Sequence, residues 1–149
     1  MLDPILPIAR VTLQFRGEDG QPFGTATTVR VVGGFDEAGV LNWGVQSARS
    51  DQIRLDGGAF TGTPPVYEPS GQGQGFEGVI EGRIVTATGD IVGEGFVTGG
   101  ALELGDLTGS IPLTGDGTGP GYVVFFEVGG LGLDPVSLTI ERVDIPSGS

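Results

Sequence analysis

Apolar and polar residues alternate with a period of two in segment after segment of this chain, and each run is cut by Gly, Pro or Asp-Gly. From Ile8 to Arg16, Val11, Leu13 and Phe15 fall on one face and Thr12, Gln14 and Arg16 on the other, which predicts a first strand. Gly17-Glu18-Asp19-Gly20 predicts its turn, because Asp-Gly supplies the positive φ that tight hairpins need. A second strand is predicted over 23–32, ended by Gly33-Gly34, and further strands over 40–48, 53–61, 76–87, 90–97, 101–113, 122–128 and 136–145. Between them Thr63 to Gly75, rich in Pro, Gly and Ser, is predicted to be one long loop, with a lid among its uses.

About nine strands, with no convincing helical period, predict an all-β chain, and the length suits a single domain over 1–149. Tyr122, Val124 and Phe126 lie on one face of their strand and Val123 and Phe125 on the other. Strands apolar on both faces suit a barrel with an apolar lumen or the buried middle of a sandwich. The expectation is a small closed antiparallel β-barrel of about 8–9 strands, since closure removes sheet edges.

Composition narrows the chemistry. Seven Arg, no Lys and 19 acidic residues give a formal charge of −12, so a phosphate backbone is repelled, and the arginines do not cluster along the sequence. No nucleic-acid partner is expected. Without Cys or His the chain has no thiolate nucleophile, imidazole base or Cys/His zinc site, so neither metal nor cofactor is expected. No run approaches the ~20 apolar residues of a spanning helix. Met1 to Pro7 lacks the basic start of a secretory leader. A cytoplasmic protein without a membrane partner is expected.

Local motifs read mostly as turns. Gly129 to Ser137 matches a single unit of the calcium-binding nonapeptide repeat, but such turns bind calcium between stacked copies, and a hairpin turn is the expectation. Gly93-Glu94-Gly95 and Gly115 to Gly119 lack the helix and Lys of a phosphate cradle. Glu77, Glu81, Glu94, Glu103 and Glu127 fall in predicted strands, where a wet face explains them before an acid–base pair does. Trp43, Tyr67 and Tyr122 are the scarce amphipathic aromatics, suited to a core or to a pocket wall.

Three segments carry a resemblance. The run from Phe15 through Gly17-Glu18-Asp19-Gly20 to Gly24-Thr25, the strand Leu41-Asn42-Trp43-Gly44-Val45, and Thr98-Gly99-Gly100 followed by Leu107-Thr108-Gly109-Ser110 together resemble the allene oxide cyclase-like barrel family. Ala101-Leu102 stands where that family usually carries Thr-Gly. The family's bacterial spirotetronate cyclases close linear polyketides by intramolecular Diels–Alder reaction without a cofactor. The resemblance implies a cyclase that folds a linear apolar substrate in its lumen, where orientation supplies most of the acceleration. Tyr67 or Arg83 would donate a polarising hydrogen bond, and Trp43, Phe76, Tyr122, Val124 and Phe126 would shape the cavity. The partner is then an apolar small molecule, with a homodimer allowed. Two other functions suit the same inventory: a structural or assembly module of a virion or fibre, and a carrier of an apolar ligand.

Overall fold

A computed structural model describes residues 7–128 and 135–147, so part of the single calcium-type unit lies outside the described residues. The fold is all-β, in two antiparallel sheets. The strands are β1 (Ile8–Arg16), β2 (Pro22–Phe35), β3 (Leu41–Ser50), β4 (Ile53–Thr61), β5 (Val66–Gly73), β6 (Val79–Thr86), β7 (Ile91–Thr98), β8 (Gly105–Asp106), β9 (Ile111–Pro112), β10 (Gly119–Val128) and β11 (Pro135–Ile145). A seven-stranded sheet runs β1-β2-β3-β11-β10-β6-β7, and a smaller one runs β4-β5-β8, with β9 also paired to β5. Among the described residues both sheets are open, in place of the expected closure, although the first and last strands do share one sheet. No helix among them is long and apolar enough to cross a membrane.

The hairpins follow local chemistry. In the β1–β2 turn Gly20 takes φ 75° and Asp19 Oδ1 accepts from the Gln21 amide at 3.0 Å. The β2–β3 turn lies beyond Gly33-Gly34, at Asp36 to Gly39. Asp36 Oδ1 accepts from the Val40 and Ala38 amides there, bonds that hold its carboxyl below the ordinary range. Gly33 therefore stays in the ladder, opposite Trp43.

The predicted loop from Thr63 to Gly75 is instead a turn followed by β5, in the middle of the smaller sheet. Pro69 is tolerated there because β9 pairs only at Val66 and Tyr67 and β8 only at Gln72 and Gly73, which leaves the stretch between without a ladder on that side. The predicted strand over 101–113 shrinks to β8 and β9, since Gly109, at φ 116°, bends the chain between them.

The smaller sheet covers only part of the larger one. The core between them is Ile53, Tyr67, Ile80, Ile84, Ile111, Val123 and Phe125 with their neighbours, and among the described residues none before Ile53 belongs to it. Gly82 makes this packing possible: a Cβ there would lie 2.6 Å from Ile111 Cδ1 and 2.8 Å from Phe125 Cε1. Strands β1 to β3 form a wing that joins the body through β11, where Ala48 faces Ile140 and the Ser50 amide donates to Thr139 Oγ1 at 3.2 Å.

Candidate functional site

Register assigns every strand residue of the large sheet to the inner face, toward the smaller sheet, or to the outer one. Opposite one another on the outer face lie Val11, Val29, Ala48, Ile140 and Val124, and likewise Val31 and Val45, Tyr122 and Val85, and Phe126 and Leu138. Among the described residues the smaller sheet packs on the opposite face; on this one Val29 and Ala48 are buried, while larger side chains around them stand exposed. On the wing Val11, Leu13, Leu41, Trp43 and Val45 are 40–50% exposed, and on the body Val79, Ile91 and Phe96 are 43–64% exposed. With roughly 150 Å² for each side chain, the low end of the aromatic range because most of the eight are Val, Leu or Ile, about half exposure presents on the order of 600 Å² of apolar surface. Monomeric proteins rarely leave more than a few hundred Å² contiguous.

The charged groups of this face are of both signs. Arg83 Nε pairs with Glu94 at 3.1 Å and its guanidinium lies over the Phe126 ring, 5.0 Å from the centroid. Arg142 and Glu81 lie on the same face, with Asp144 at its far end. Near its middle an apolar recess of about 300 Å³ is lined by Val45, Val85, Tyr122, Val124 and Ile140. Tyr122 donates across it to the Val45 carbonyl at 3.2 Å, tying body to wing.

Trp43, Tyr122, Val124, Phe126 and Arg83 are therefore on one face, as a shared site requires. Tyr67 is not among them. It is 3% exposed on β5, between the sheets, edge-on to Phe60 at 5.2 Å and 6.3 Å from Phe125. A lid carrying Tyr67 beside Trp43 is thereby overturned, because β5 pairs with β4 and turns Tyr67 into the core. Phe76 lies apart as well, exposed in the 3-10 turn Phe76–Gly78.

The Tyr67 hydroxyl looks into a second, polar cleft of about 510 Å³ at the seam of the sheets, with Asp56, Arg49 and Glu141. Gly58 leaves room for that hydroxyl, since an added Cβ would collide with it. Burial and then the Glu141 charge push the Tyr67 phenol up, so it is a hydrogen-bond donor at neutral pH. Glu141 in turn accepts from Arg49 at 3.2 Å.

Sequence reasoning missed the gathering of cations on the inner face. Arg49 is shared by this cleft, by a recess with Arg10 and Arg30, and by a third with Arg54. The signal was present in the parity of Arg10, Arg30 and Arg49 on their strands, but only register places them side by side.

Glu127 is the one strand carboxylate that is buried, at 8% exposure, and its Oε2 has no partner among the described residues. Burial pushes its carboxyl above the ordinary glutamate value, against a weaker opposing bond from the Phe76 amide. An acid raised in the fold keeps its proton longer there than in the unfolded chain. The fold pays nothing below the unfolded value and loses stability as pH rises from that value to the folded one. Glu127→Gln is thus expected to stabilise the protein at pH 7 by about 1 kcal/mol, with the gain gone by about pH 4. Urea melts of both proteins across that range check it, and a gain that persists in acid would contradict the assignment.

Comparison with family models, with curated proteins and with solved structures finds no match for this chain.

Proposed function

We propose that this protein is an assembly module that associates with further copies of itself through the outer face of the seven-stranded sheet. The observation that carries the reading is the set of exposed apolar side chains on that face, on the order of 600 Å², the low end of what one partner contributes to a stable interface. Charge favours a second copy as the occupant. A chain of formal charge −12 repels its own kind over most of its surface. The outer face comes nearer to balance, carrying Arg83 and Arg142 against Glu81, Glu94 and Asp144. The wing gains most from such a partner, since it adds nothing to the core between the sheets.

Sedimentation velocity tests this. The protein is expected to sediment as a homo-oligomer at micromolar concentration, with blue-shifted emission from Trp43, the chain's single Trp. Phe96→Glu and Val11→Glu, each placing a charge on the face, should give folded monomers with red-shifted emission. A wild-type monomer at ~100 µM, well above the micromolar range of modest interfaces, would end the proposal.

A second reading rests on the 300 Å³ recess, which is lined by two residues chosen from sequence, Tyr122 and Val124. It is the carrier or cyclase reading, with an apolar ligand held on the open face instead of in the lumen of a closed barrel. A monomer that binds a linear polyene stoichiometrically, quenches Trp43 and loses both with Val124→Glu would favour it. Conversion of the polyene to a cyclised product would separate the cyclase from the carrier.

A further inference from the structure

The inner face of the wing carries an array that neither reading uses. Register sets Arg10 opposite Arg30 and Arg30 opposite Ser47 in one row, and Thr12 opposite Thr28 and Thr28 opposite Arg49 in another row of the same face. Arg10, Thr28, Arg30, Ser47 and Arg49 line a recess of about 210 Å³, and no Asp or Glu lines it. Like charges directly opposite in an antiparallel pair destabilise it. Arg10 and Arg30 nevertheless face each other, and neither forms an ion pair among the described residues. Only Arg49 has a carboxylate, that of Glu141. A chain with 19 acidic residues thus leaves two of its seven cations opposed and uncompensated.

We propose that this recess binds an oxyanion of phosphate or sulfate type. Guanidinium forks bind the oxygens of such groups in pairs, and a bound dianion turns the Arg10–Arg30 repulsion into a shared attraction. Thr28 and Ser47 supply hydroxyl donors beside the guanidiniums. The site is on the opposite side of the sheet from the outer face, so it stands or falls apart from self-assembly.

Calorimetric titration of the full chain at low ionic strength with inorganic phosphate, sulfate and pyrophosphate tests it, with a sulfated oligosaccharide as the chain-borne source. Saturable binding of about one anion per chain is expected, weakened about tenfold or more by Arg10→Gln or Arg30→Gln. Without anion both variants should melt at or above the wild-type temperature, because they relieve repulsion, and a given anion concentration should raise Tm more in the wild type than in either variant. Both residues are exposed, so folding is not at stake. Similar affinity for free phosphate and the oligosaccharide identifies a free anion. Much tighter oligosaccharide binding with a steep salt dependence identifies a chain-borne sulfate. The proposal is overturned if no titration saturates, if the variants bind as wild type, or if they melt lower without anion. It is also overturned if they change only the oligomeric state, which would assign the arginines to the acidic surface of a second copy.

Discussion

Replacing Phe125 with Ala is expected to remove about 3–5 kcal/mol of stability, the range for truncating a buried aromatic. Phe125 is 0% exposed on β10, which is paired on both sides, and its ring lies against Tyr67 and above Gly82. The backbone around it is held by two ladders and cannot collapse into the void. A domain of this size is stable by roughly 5–15 kcal/mol, so the loss is a large share of the total. Tm should fall by roughly 10 °C. Thermal melts followed by far-UV circular dichroism measure it over the whole fold, and Trp43 emission follows the wing. A loss below about 1 kcal/mol would mean that the two sheets do not meet at Phe125.

Gly71→Ala should be as damaging, through the backbone. Gly71 takes φ 143°, which L residues rarely adopt, and an added Cβ would strike the Arg54 carbonyl oxygen and come within 3.0 Å of Leu55 Cα. Those obstacles are main-chain atoms of the paired strand β4, beside the register shift between Leu55 and Gly57. Neither can rotate away. A loss of about 3 kcal/mol or more is expected, from strain and overpacking together. Gly57→Ala is the control, since nothing lies within 4 Å of its added Cβ, and it should stay within about 0.5 kcal/mol of wild type. Denaturant melts of the pair decide the matter, and equal stabilities would refute the close approach of β5 to β4.

The proposed interface also bears on the second measurement. If the wing is held chiefly by a partner copy, its Trp43 transition should depend on protein concentration while that of the body does not.

The chain's β character, its first hairpin and the two-faced strand around Phe125 were legible in sequence, because alternation and Asp-Gly turns act over a few neighbouring residues. Tyr67 was misread because Pro64, Pro65 and Pro69 weigh against a strand locally, whereas β4 and the interrupted ladder on its other side make one. The two-faced apolar strands were visible, but not that one face would meet a second sheet and the other none. Arg10, Arg30 and Arg49 are distant in sequence, and their side chains were known only to share a parity with their neighbours. Periodicity tells which residues of one strand point together. Which strands adjoin, in what register, and how far one sheet extends over another are set by long-range pairing, and those decided the core, the bare outer face and the arginine recess.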